Sequence, residues 1–282
     1  MGIKKLVLCG ESWAWGYELV DPSLEVQPLH TLNYNTNVHK ISDSDIFDPY
    51  NLYDKVQNTD YRIKNRYAGL LATKLGIPET VDLSHPGVSN QYIERMLVTY
   101  LSEEGYLKGK DASDIFVFIG WTSPERREFT KRDGKPVHFG PWNLKFKYGE
   151  EGVDDFIKTY VTYFASEKES AVRYFMQVLQ VQKLLESLNI KYCMHQTFYD
   201  NLHWQKLEDI HTRTKTFKNL NKAELGIFDA IDDKTFIHKT NTAANYLRTR
   251  KENCYFKEHP NEIGHWHLSE YFYNEITSRH SL

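Results

Sequence analysis

Apolar residues along this chain fall into two alternating kinds of run. Short runs at Ile3 to Cys9, with Leu6-Val7-Leu8 in a row, and at Ile115 to Ile119 have the form of buried strands, and Thr80 to Leu83 and Ile190 to Thr197 also read as strands. Between them lie longer stretches whose apolar positions recur at three and four. Lys64 to Leu75 carries Tyr67, Leu70, Leu71 and Leu75 on one side, and Tyr92 to Leu101 and Glu167 to Leu188 also read as helices. Asn261 to Thr277 repeats the pattern less cleanly, with Ile263, Trp266, Tyr271 and Ile276 as the expected buried face. Strands alternating with helices predict an α/β fold: a three-layer sandwich around a central, mostly parallel sheet. Such sheets bind ligands at the carboxyl ends of their strands.

Three polar stretches break the alternation and read as insertions, 18–61, 124–155 and 201–251. The second holds the turn signals Asp133-Gly134 and Gly140-Pro141. The third is basic in part, with Arg213, Lys215, Lys218 and Lys222. Insertions that follow strand ends would rim the site and shape its pocket.

Candidate chemistry sits near both ends. Ser12 follows the first apolar run through Gly10-Glu11, where a strand would turn into a helix. Backbone N–H groups there favour developing negative charge, and the plainer reading is a serine that caps the helix. His259 lies in Glu258-His259-Pro260-Asn261, 247 positions further on. Pro260 suits the first position of a helix and keeps His259 out of helical conformation; capping or packing is its plainer role. A serine needs a base to become a nucleophile, and histidine is the usual one. The proposed site needs both ends of the chain, so a single domain over 1–282 is expected.

Four segments in order resemble the blocks of the SGNH (GDSL-like) hydrolases. Gly10-Glu11-Ser12 is similar to the first block, normally Gly-Asp-Ser, and Gly87-Val88-Ser89-Asn90 to the second. Gly120-Trp121-Thr122-Ser123 is similar to the third, normally Gly-x-Asn-Asp, and Glu258-His259-Pro260-Asn261 with Gly264-His265 to the fifth. The wording Gly-Trp-Thr-Ser-Pro-Glu-Arg-Arg also resembles divergent members carried by tailed phages. The resemblance implies a flavodoxin-like sheet, Ser12 as nucleophile and His259 as base. The N–H groups of Ser12 and Gly87, with Thr122, would form an oxyanion hole. The implied activity is cleavage or transfer of an ester-linked acyl group, such as acetyl on a glycan. Asn90, Trp121, Arg126 and Arg127 are the residues expected to meet the substrate, the two arginines by gripping a carboxylate or phosphate. They could equally pair with Glu125, Glu128 or another acid.

Two positions depart from that pattern. Thr122 replaces the third block's asparagine, with a shorter donor. Phe256 occupies the place of the acid three residues before the histidine. Glu258, Asp232, Asp233 or a carbonyl would then have to orient the imidazole, or the site works as a dyad.

Composition narrows the classes. At 282 residues and 40% hydrophobic, the chain can bury a sizeable core. A net charge of −3 argues against a broadly basic surface for nucleic acid. No run reaches the ~20 apolar residues of a membrane span, and the amino-terminal run is too short for a signal peptide. Cys9, Cys193 and Cys254 are scattered and odd in number, which fits buried thiols and a cytoplasmic setting, the host's if phage-encoded. His259, His265 and His267 crowd together, but His265 and His267 are too close in sequence to face one metal from a helix. No metal or cofactor is expected. Trp13, Trp15, Trp121 and Trp142 flank the blocks, either as ring platforms for a sugar or acyl chain or as ordinary packing. The expected partner is a small-molecule or glycan ester, not a membrane. Two rivals are an SGNH-shaped binding module for glycan or protein that has lost turnover, and a phage accessory protein acting on nucleic acid.

Overall fold

The computed structural model describes residues 2–17, 19, 56–145, 147–197, 220–237, 242–255 and 259–280. Five strands form one parallel sheet. β1 (Lys5–Cys9) lies between β2 (Glu79–Asp82) and β3 (Ile115–Trp121); β6 (Lys191–Gln196) pairs with β3, and β7 (Phe236–Ile237) with β6. The order β2-β1-β3-β6-β7 reverses direction at β1. In open parallel sheets, such a reversal marks where ligands bind, at the carboxyl ends of the strands. A separate hairpin, β4 (Arg127–Thr130) and β5 (Pro136–Phe139), is antiparallel.

Alternation along the strands makes the three layers. Val7, Cys9, Val117 and Ile119 face α4 (Asn90–Glu103) and α6 (Glu167–Ser187), meeting Ile93, Leu97, Phe175 and Val178. Leu6, Leu8, Phe116 and Phe118 point the other way, onto α3 (Tyr67–Leu75), α8 (Ala243–Arg248) and α9 (Glu262–Arg279). Successive strand residues point to opposite faces, so a run apolar at every position demands cover on both sides. The remaining helices are α1 (Ser12–Trp15), α2 (Val56–Asn65), α5 (Glu151–Tyr163) and α7 (Lys222–Asp229). Among the described residues no helix is long and apolar enough to cross a membrane.

Several expectations are corrected. The helix expected over Lys64 to Leu75 is two helices, broken at Arg66, whose backbone is extended. Its guanidinium is fully buried against Asp82 at the end of β2, and that ion pair fixes the break. The stretch 201–251 is not simply an insertion, since α7, β7 and α8 lie in it; Lys222 opens α7, while Arg213, Lys215 and Lys218 lie outside the described residues. Within 124–155, Gly134 turns the β4–β5 hairpin as expected.

The buried face of α9 is also different. It consists of Gly264, His265, Leu268, Ser269, Phe272 and Ile276, while Ile263 and Trp266 are 47% and 49% exposed. Polar His265 and Ser269 on the inner face concealed it from an apolar-only reading.

Candidate active site

Gly10 leaves β1 where the chain is too tight for a side chain: a Cβ there would lie 2.4 Å from Ala14 Cβ. The carbonyl of Gly10 accepts from His85 N–H at 3.1 Å, which ties the loop after β2 to the loop after β1. Ser12 does not cap α1. Glu11 does, its Oε2 accepting from Trp13 N–H at 3.1 Å, and Ser12 is the first helical residue. The serine hydroxyl is thereby freed for other partners. Ser12 Oγ donates to Glu11 Oε2 at 2.6 Å and lies 3.0 Å from His259 Nε2.

His259 is held by the turn in front of α9. Tyr255 and Pro260 form an antiparallel bridge, and Asn261 N–H donates to Cys254 O at 3.0 Å. Asn261 is the cap of α9, accepting from Gly264 N–H at 2.9 Å. Pro260 therefore precedes the cap and is not the first helical residue. The Tyr17 ring lies 4.8 Å from the imidazole, centroid to centroid. Phe256, at the place of the usual acid, and Glu258, one of the candidate orienters, lie outside the described residues.

Gly87 turns the second loop with φ +76°, a conformation that favours glycine. Ser89 then caps α4 and Asn90 opens it. The Asn90 amide accepts from Thr122 N–H at 2.8 Å and donates to Thr122 O at 3.1 Å, and Gln196 Nε2 donates to the same carbonyl at 3.0 Å. Asn90 thus fixes the third block. Thr122 is fully buried, and its hydroxyl has no hydrogen-bond partner among the described residues. The N–H groups of Ser12 and Gly87 likewise donate to nothing described.

Trp121 departs from expectation. It is fully buried, donates to Met194 Sδ at 3.4 Å and meets the Tyr174 ring edge-on, so it is core rather than a substrate platform. Trp13 and Trp15 are buried as well, and the Trp142 side chain lies outside the described residues. Arg127 is nearly buried against Glu169 and sits over the Tyr160 ring, the plainer of its two expected roles. Arg126 stays with the site: its Nη1 donates to Val88 O at 3.2 Å, and its charge acts on Glu11.

Burial raises the pKa of the Glu11 carboxyl, while Arg126, the Ser12 and Trp13 hydrogen bonds and His259 pull it back down. Behind the site, His265 Nδ1 accepts from Tyr67 N–H at 3.1 Å, and His195 Nε2 lies 3.4 Å from Tyr67 Oη. Burial pushes both imidazoles down to about 3, so they stay neutral at ordinary pH. His267 lies 3.6 Å from Glu252, so the three clustered histidines have three separate partners.

Asp232 and Asp233 are ruled out as orienters by position. They precede β7 at its amino end, and Arg279, the last residue of α9, donates to Asp233 O. His259 stands before the first turn of that helix, whose 18 residues span about 27 Å. Glu11 and the Asn90–Thr122 clamp are what the sequence reading missed. In the sequence, Glu11 stands only as a variant of the first block, and its full burial has no local signal.

A search of curated proteins found no match. Residues 50–241 match a family of unknown function, DUF6071. The matched segment holds Gly87, Asn90, Trp121, Thr122, Arg126 and Arg127, while Ser12 and His259 flank it on either side. Because the match spans well over half of the 282 residues, the chain belongs to this family, DUF6071.

Proposed function

We propose that the chain is a serine hydrolase of the SGNH type that cleaves or transfers an ester-linked acyl group. The observation that carries this reading is the 3.0 Å approach of His259 Nε2 to Ser12 Oγ, made between residues 247 positions apart. That distance is hydrogen-bond reach for a nucleophile and the histidine that moves protons beside it. Ser12 Oγ attacks the acyl carbonyl carbon as its proton is removed, and His259 serves the proton transfers to the leaving alcohol and from the incoming water. In this reading the N–H groups of Ser12 and Gly87 and the hydroxyl of Thr122, which has no hydrogen-bond partner among the described residues, serve the oxyanion. Each such donor is worth roughly 10²–10³ in rate. Arg126, whose Nη1 donates to Val88 O, is the residue we assign to an anionic substituent on the substrate. Three buried free thiols, Cys9, Cys193 and Cys254, support a reducing compartment, and on that ground we assign it to the cytoplasm.

The test is a fluorophosphonate probe with peptide mapping, alongside hydrolysis of a short p-nitrophenyl ester. The expected result is one adduct on Ser12 and turnover that Ser12→Ala abolishes. Wild-type protein that forms no adduct at Ser12 and turns over no member of a panel of acetylated sugars overturns the proposal in favour of an SGNH-shaped binding module.

A further inference from the structure

The serine hydroxyl has one proton and two neighbours. Oγ stands 2.6 Å from Glu11 Oε2 and 3.0 Å from His259 Nε2. Both contacts are satisfied together when the hydroxyl donates to the carboxylate and accepts from a protonated Nε2. Were both neighbours acceptors, one would face the oxygen's lone pairs. Glu11 is completely buried, its Oε2 holds the Trp13 N–H, and its Oε1 has no hydrogen-bond partner among the described residues. Capping a four-residue helix does not require a buried carboxylate, since an amide oxygen accepts from an N–H equally well.

We infer that Glu11 is a second base of this site, taking the Ser12 proton directly and leaving His259 to serve the leaving group and the water. The inference rests on the serine hydrolase reading. In the acylation step the Oγ–H bond breaks, the proton passes to Glu11 Oε2, and Oγ bonds to the acyl carbon. The acyl–oxygen bond to the alcohol then breaks, and the departing oxygen takes the proton from His259 Nε2. In deacylation, water returns a proton to His259 Nε2 and bonds to the acyl carbon. Oγ departs and recovers its proton from the Glu11 carboxyl. Every proton is returned to the group that gave it, so the site ends as it began. Burial strengthens the carboxylate as a base. The groups facing it are Arg126 from the loop after β3, His259 from the turn before α9, and Tyr67 from α3, itself beside Arg66 and Asp82.

Fluorophosphonate labelling isolates this step, because fluoride leaves without a proton. The proteins compared are wild type, Ser12→Ala, Glu11→Gln, His259→Ala and Glu11→Gln/His259→Ala, each with a melting curve. Glutamine keeps the cap but cannot take the proton. With general-base catalysis worth about 10²–10⁴, His259→Ala should label at least ~10²-fold faster than the double variant. Its rate should rise with pH in one step as the carboxylate forms. Glu11→Asp in the His259→Ala background should restore part of that rate. Wild-type labelling with His259→Ala no faster than the double variant overturns the inference while the hydrolase reading stands. No labelling of folded wild type overturns both.

Discussion

At the scale of single residues, the site turns on which side chain caps the first helix. Because Glu11 accepts from Trp13 N–H, the Ser12 hydroxyl does not cap the helix and meets both Glu11 and His259. Ser12→Ala should therefore abolish ester turnover while changing stability by no more than a cap residue would, about 0.5–2 kcal/mol. A p-nitrophenyl ester assay beside a melting curve checks both parts, and unchanged turnover would remove Ser12 from the chemistry. Thr122→Val keeps the shape of a fully buried side chain and deletes its unpartnered hydroxyl. Turnover should fall roughly 10²–10³-fold if that hydroxyl faces the oxyanion. The fold should hold or gain slightly in stability, because no hydrogen bond is lost.

At the scale of elements, short loops from separate strands are locked to one another. Gly10 allows α1 to turn sharply out of β1; a methyl group there meets Ala14 Cβ at 2.4 Å. Gly10→Ala must push α1 away, at a cost of about 1–3 kcal/mol. Since Ser12 begins that helix, Tm and turnover should fall together, and a loss of Tm alone would show that α1 can shift without moving the serine. Asn90 joins the start of α4 to the end of β3 through two hydrogen bonds to Thr122. Asn90→Ala leaves the Thr122 N–H unpaired, at about 1–3 kcal/mol, while Gln196 still donates to the Thr122 carbonyl. A denaturant midpoint measures the loss.

At the scale of the whole molecule, two buried imidazoles make stability depend on pH. His195 and His265 titrate at about 3 in the folded chain, against about 6.5 for an unperturbed histidine. Between those values the unfolded chain binds protons that the folded chain refuses. Stability is thus full above about 6.5 and drains as pH falls toward 3, by up to ~1.4 kcal/mol per pH unit for each ring. Glu11 acts oppositely just above its ordinary 4.5, where the folded state holds the proton more tightly, and offsets part of the loss. Melting curves from pH 7 to pH 5 should show a falling Tm, with a shallower slope in His265→Gln; equal slopes would place His265 in water. Phe272, on α9, packs its ring on Tyr67, Phe118 and His195. Phe272→Ala should cost about 3–5 kcal/mol and displace the turn that carries His259, so stability and turnover should fall together.

The sequence alone determined the strands and their parallel class. A strand covered on both faces must be apolar at every position, and Leu6-Val7-Leu8 and Ile115 to Ile119 state that requirement locally. Their turn residues placed Ser12, Gly87 and Thr122 at the carboxyl edge, as the structure shows. The tertiary structure alone decided the rest. The two-residue β7 is too short to carry a period and exists only because β6 offers it an edge. The inner face of α9 includes His265 and Ser269, whose burial depends on Tyr67 and the neighbouring helix rather than on their own polarity. Trp121 and Arg127 looked available because they adjoin a motif, but adjacency along a strand alternates direction, and both turned to partners within the protein. The desolvation of Glu11 and the meeting of Ser12 with His259 are long-range facts. Hydrophobic periodicity reports which face of an element is covered, whereas the partner that covers it, and the water it removes, come from segments elsewhere in the chain.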